Sequence, residues 1–430
     1  MDAKVDETLA WLGTFDLSRR PDVEAKARLL LLDTLACAVA GFAVPEISAL
    51  IEILAREEPG AVRWPGMPHS LSPAAAAYVG AMAACWHEAC EGLARAHGRP
   101  GLHAIPPALS LALAAGAPLE RLLDAIVWGY ELGARFGEAM RIRPGMHVDG
   151  CWGALASAAA AARIRGGGIA EVRAAMALAA CQIPTSLYLP VRAGSNARNT
   201  YAGHAAAMAT FYSATVRSGC DAPSGAFLEG ARFVVGDAVR AEWPWAPVDE
   251  FLILEGYLKP FAAVRHVHYP VQCAIEWNRL GIDPQRIHSV IVDTYPEALT
   301  YCGNRAPQAP IQAQFSLSYG TAYALRHGDL GPDAYTASAL GDPLQLRLEA
   351  AVQLRSDPNL AVRGARLTVC TQDGNWTHLV HSVPGDPDLP YDKAKVIEKA
   401  NRFMTPVTGA AEASRIVYAI LNGKPGEPIH

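Results

Sequence analysis

Charge is scarce in this chain: only 18% of its 430 residues are Asp, Glu, Lys or Arg, with a formal balance of −5. No basic stripe or like-charge block stands out, which argues against a nucleic-acid partner and a disordered charged tail. Ordered cysteine spacing is missing as well. The nine cysteines are scattered and odd in number, and no two stand at Cys-x-x-Cys spacing. That fits buried free thiols in a reducing compartment, not a disulfide framework. Nucleotide loops are absent. Gly166-Gly167-Gly168 follows no strand pattern and lacks G-x-G-x-x-G spacing, so it reads as a turn between helices. No G-x-S-x-G elbow supports serine-hydrolase chemistry. No apolar run is long and unbroken enough to cross a bilayer, and the first residues carry no apolar leader core. The expectation is a soluble, cytoplasmic protein without membrane or nucleic-acid partners.

What the chain has in quantity is apolar and helix-forming: 51% of it is hydrophobic, and alanine, the best helix former, dominates the first 255 or so positions. Helical runs are expected at 23–42, 73–94, 107–115, 119–141, 151–164, 169–184 and 200–218. Several are apolar on most sides, which implies a multilayer bundle or a subunit interface. The pattern changes after Trp243-Pro244-Trp245. Residues 287–294 alternate as a strand, and 361–382 hold two strand-like runs around Asp373-Gly374-Asn375. Helical segments at 270–280 and 313–327 lie between them, and 391–421 is helical again. The fold class expected is mainly α: an all-helical domain of residues 1–258 plus 396–430, with a smaller inserted α+β lid of residues 259–395.

Two segments set histidines beside glycine or proline punctuation. His147 lies in Gly145-Met146-His147-Val148-Asp149-Gly150, just before a helix, and Asp149 could cap that helix. Lys259-Pro260 and Arg265-His266-Val267-His268 fall at the apparent domain junction, where ligand sites concentrate. If 265–269 is extended, His266 and His268 share one face; the alternative is a solvated basic loop. His87-Glu88-x-x-Glu91 resembles half of a metal helix, with His87 and Glu91 one turn apart. Even with His97 and His103 it lacks strong ligand spacing, so no metal is expected.

Read in order, these pieces resemble the MmgE/PrpD family of 2-methylcitrate dehydratases, cis-aconitate decarboxylases and iminodisuccinate epimerases. The run begins with LLLLDTLACAVAG, which contains Asp33, then AAYVGAMAACWHEACEG and His97-Gly-Arg-Pro leading to IPPALSLALA. It continues through AIVWGYELGARFG, GMHVDGCWG and ARNTYAGHAAAMA. It closes with FLEG, LKPFAAVRHVHYP and QFSLSYGTAYAL. The resemblance implies a helical domain with an inserted lid, a homodimer, and no cofactor. It also implies catalytic roles for His97, His147, Lys259 and Tyr319. Substrate contacts would come from His87, Glu88, Glu91, Arg198, Arg265 and His268. Two departures stand out. Cys90-Glu91-Gly92 replaces the usual Asp-Asp-Thr, and Arg198 stands where decarboxylase-like members carry lysine.

The expected function is a cofactor-free lyase that abstracts a proton next to a carboxylate of a small di- or tricarboxylate, as in dehydration of a 2-methylcitrate-like acid. Fixed cations would offset the developing charge, and imidazoles would move the protons. The alternatives are an epimerase of an iminodisuccinate-like diacid, an aconitate-type decarboxylase and a silent carboxylate-binding homologue.

Overall fold

A computed structural model describes residues 1–236, 242–360, 363–424 and 426–428. The alanine-rich runs form the expected helices, with shifted ends. Helix Pro73–Trp86 stops eight residues early, so His87 to Gly92 is a turn and not a helical face. Helix Pro100–Ala115 starts seven residues early and contains Pro106 and Pro107. Inside the bundle, small residues let helices approach closely. A Cβ on Gly133 of helix Leu119–Ala139 would lie 2.4 Å from the Ala156 Cβ of helix Gly153–Ile164. One helical turn earlier, a Cβ on Gly129 would lie 2.8 Å from the Ala160 Cβ. Helix Gly153–Ile164 is buried on nearly every side within one protomer, which is why its sequence shows no polar face.

Beyond residue 259 the chain builds a four-stranded sheet in the order Val352–Ser356, Ile287–Thr294, Ala365–Thr371, Gly374–Val380. The first pair is parallel (Val290 opposite Val352) and the others antiparallel (Val290 opposite Val369). The hairpin turns at Gln372-Asp373, one residue before the expected centre. Positions 361 and 362, which opened the expected strand run, lie outside the described residues. Helix Arg265–Asn278 covers the sheet beside Leu317–His327. Helices Lys393–Thr408 and Ala410–Asn422 then return to helix Pro21–Phe42. There Lys399 Nζ lies 2.5 Å from Asp33 Oδ1.

Candidate active site

A cavity of about 1090 Å³, its open mouth included, lies where the helical bundle meets the segment after residue 259. Its floor is the turn after helix Pro73–Trp86. Glu88 sits there with φ +53°, a left-handed backbone that non-glycine residues seldom adopt. Lys399 holds the turn from below: its Nζ donates to the Ala89 carbonyl at 2.6 Å and pairs with Asp33. The C-terminal helix thus pins the turn that presents Glu88.

Three buried cations converge on the Glu88 carboxylate. Arg198 Nη2 is 2.5 Å away, Lys259 Nζ 2.8 Å and Arg99 Nη1 3.2 Å. Lys259 also donates to the Glu88 carbonyl at 2.9 Å. Burial alone would push this carboxyl up, but Arg198, Arg99 and Lys259 outweigh burial and hold it below the usual range. Asp149 is the second anion. It pairs with Arg99, lies 3.1 Å from Arg198, and is likewise held well below the usual range against the cost of burial. Asp149 is therefore an ion-pair partner rather than the expected helix cap; helix Gly153–Ile164 begins four residues later without a side-chain cap.

His147 sits within this charge cluster. The Asp149 backbone N–H donates to its Nδ1 at 3.1 Å, and Arg198 Nε points at its Nε2 at 3.3 Å. The Tyr188 ring stacks on it, with centroids 5.9 Å apart. Burial depresses its pKa to about 4, with Arg198 and Arg99 acting the same way against Asp149. Only one of these nitrogens can accept in a neutral ring, the other carrying hydrogen, and the low pKa places the imidazole in that neutral form, able to take a proton. His97, also left-handed at φ +50°, lines the same cavity. Burial, then Arg141 and Arg363, bring its pKa to about 4.

The structure brings His97, His147, Lys259, Arg198, Arg265 and Glu88 to one cavity and leaves four expected residues outside its lining. Tyr319 is buried in the lid, and its hydroxyl donates to the Ala334 carbonyl at 2.5 Å. His87 turns its ring edge to Phe403. Glu91 accepts from the Leu102 N–H at 3.1 Å beneath the turn, and burial raises its pKa to about 7. The segment from 265 is helical, not extended, so His266 and His268 separate. His266 faces the cavity, while His268 is buried, bonds the Ala263 carbonyl at 3.0 Å and meets Arg265 at 3.3 Å. His87, Glu91 and His97 thus face three different surroundings, and among the described residues no three His, Cys, Asp or Glu side chains gather as a metal-holding group. Residue reading missed Arg99, Arg141, Tyr257 and Arg363. Arg99 alone had a signal, two residues after His97 in the His97-Gly-Arg-Pro piece. Arg363 is 98 residues from Arg265 in sequence, and no spacing could have joined them.

The MmgE/PrpD N-terminal domain model matches residues 10–238, and the MmgE/PrpD C-terminal domain model matches 261–422. The chain belongs to the MmgE/PrpD family. No curated protein matches it. At the level of the family the assignment supports a dehydratase-type lyase. No described helix is long and apolar enough to cross a membrane by itself; one sharply bent pair passes on length and composition. In that pair, helix Pro21–Phe42 is largely buried in the bundle.

Proposed function

We propose that this protein is a cofactor-free lyase that removes a proton next to a carboxylate of a small di- or tricarboxylate, in the manner of a 2-methylcitrate dehydratase. The observation that carries this reading is a neutral, buried His147 inside a cluster of fixed cations. His147 takes the proton as the C–H bond breaks. The released electron pair forms the carbon–carbon double bond, and the C–O bond breaks as water leaves. Lys259 supplies the second proton: two of its three N–H groups are spent on Glu88, and the third is free for the leaving hydroxyl. Arg198 and Lys259 offset charge on the carboxylate while the proton is in transit. Glu88 and Asp149, both held ionised, orient the cations and take no proton themselves. The resulting imidazolium sits beside Asp149, which favours it.

A second reading draws on His97. Two imidazoles on one cavity would suit an epimerase in which the neutral ring removes the proton and the other, as an imidazolium charged from solvent, returns one to the opposite face. Incubation of 2-methylcitrate, citrate, cis-aconitate and an aspartate-derived diacid in D2O, followed by NMR, separates the readings. A lyase gives an unsaturated acid with loss or gain of water. An epimerase gives deuterium at the carbon next to the carboxylate and the opposite configuration. His147→Ala should lower kcat by about 10²-fold or more with a smaller effect on KM, and chelation should leave turnover intact. Absence of both product and deuterium exchange with every one of these acids overturns the assignment.

A further inference from the structure

The cations of the cavity fall into two sets. Arg99, Arg198 and Lys259 are deep, buried and already shared between Glu88 and Asp149. Arg265 is taken by Asp386. Each therefore has a resident counter-ion before any ligand arrives. Arg141 and Arg363 line the same cavity nearer its mouth; Arg141 is exposed and Arg363 half-buried. Among the described residues neither forms an ion pair, and the partner of Arg363 is the Tyr269 hydroxyl. Glu297, the remaining carboxylate of the lining, pairs with neither. Arg141 leaves helix Leu119–Ala139 two residues past its end, and Arg363 comes from the lid ahead of strand Ala365–Thr371. Among the described residues, the two halves of the molecule thus each contribute one guanidinium without a carboxylate partner to one cavity.

Guanidiniums without a resident carboxylate in a concave site bind carboxylates through forked, charge-assisted hydrogen bonds. We propose that Arg141 and Arg363, beside His97, form a second carboxylate subsite that holds the substrate carboxylate remote from the reacting carbon. The inference rests on the polycarboxylate reading above and deepens it. The deep cluster serves the reacting end, and the pair at the mouth selects for an additional carboxylate. Because the pair spans both halves, a ligand engaging it also bridges bundle and lid.

The test uses the full chain and tricarballylate, a tricarboxylate with no hydroxyl to lose. Calorimetry should show that Arg141→Gln combined with Arg363→Gln weakens tricarballylate binding by about tenfold or more. Arg363→Lys should recover part of the loss, which guards against a folding defect. A local readout comes from the ring resonance of His97. Both guanidiniums now oppose its protonation, so a carboxylate seated on them should raise its titration midpoint by about one unit in wild type. The double variant should show no such ligand-dependent shift. If tricarballylate binds but leaves His97 unmoved, and the double variant binds it equally well, the subsite is wrong while the polycarboxylate reading stands. If wild type binds neither tricarballylate nor citrate, both fall together.

Discussion

A carboxylate that carries three cations neither gives nor takes a proton near neutrality, and that places Glu88 in the role of an electrostatic post. Three residues on, Glu91 behaves in the opposite way. It is sealed beneath the turn with the Leu102 N–H and, at 3.5 Å, the Tyr130 hydroxyl, and its pKa rises to about 7. A raised folded-state pKa contributes stability that is complete below the unfolded value, near 4.5, and is lost as pH rises through about 7. Glu91→Gln should therefore gain on wild type between about pH 5 and pH 8, by about 2–3 kcal/mol. Urea unfolding at the two pH values checks this; an unchanged difference would show that Glu91 stays ionised. Gly92 has its own reason at this scale. A Cβ there would meet the Tyr257 hydroxyl at 2.4 Å, and the two residues exchange backbone hydrogen bonds of 3.0 and 2.8 Å. The Cys90-Glu91-Gly92 departure thus makes room for a tyrosine in the cavity wall. The left-handed backbones of Glu88 and His97 were not visible in the residues themselves, because neither is glycine or asparagine and tertiary bonds impose the conformation.

Among elements, helix Lys393–Thr408 reaches furthest into function. Lys399 is fully buried, with Asp33 and the Ala89 carbonyl as its partners. Removing one member of a buried pair leaves the other charge uncompensated, at a cost of about 3–5 kcal/mol. Lys399→Met should lose about that much stability in chemical denaturation. Because the turn loses its anchor, turnover should fall even at temperatures where the variant stays folded. Lys399→Met paired with Asp33→Leu should recover stability and not turnover, since the Ala89 carbonyl still lacks its lysine donor. Full turnover in the double variant would show that the clamp only stabilises. The helices themselves were legible because alanine, leucine and glycine recur over long spans. Their ends were not. Helix Pro73–Trp86 ends early because the backbone after it bonds Tyr257 and Lys399, both distant in sequence. The strand Val352–Ser356 escaped notice because only its first residue is fully buried and it pairs in parallel at one edge of the sheet.

For the whole molecule, buried titrating groups act in opposite directions. His147, His97 and His87 have pKa values lowered to about 4, and His266 to about 3. Depressed histidines contribute stability that is complete above about 6.5 and is lost as pH falls through about 4. Glu91 contributes with the opposite sign. Four depressed histidines outweigh the one raised carboxyl, so stability from these groups should rise from about pH 4 and level off near about pH 8, with Glu91 flattening the upper part of the rise, which urea midpoints across about pH 4–9 would reveal. A maximum near about pH 5, with stability falling above it, would contradict the balance. Composition and periodicity by themselves determined the helical class and the change of pattern after Trp243-Pro244-Trp245, and the resemblance of short pieces in order marked the family, since each depends on neighbours within a few turns of the chain. The tertiary structure alone decided which polar residues meet. It drew Glu88, Asp149, Arg99, Arg198 and Lys259 into one charge cluster and put Arg141 and Arg363 on the same wall. It also turned Tyr319, His87, Glu91 and His268 away from the cavity. The direction of a buried side chain depends on which distant partner satisfies its charge, and local sequence carries no record of that partner.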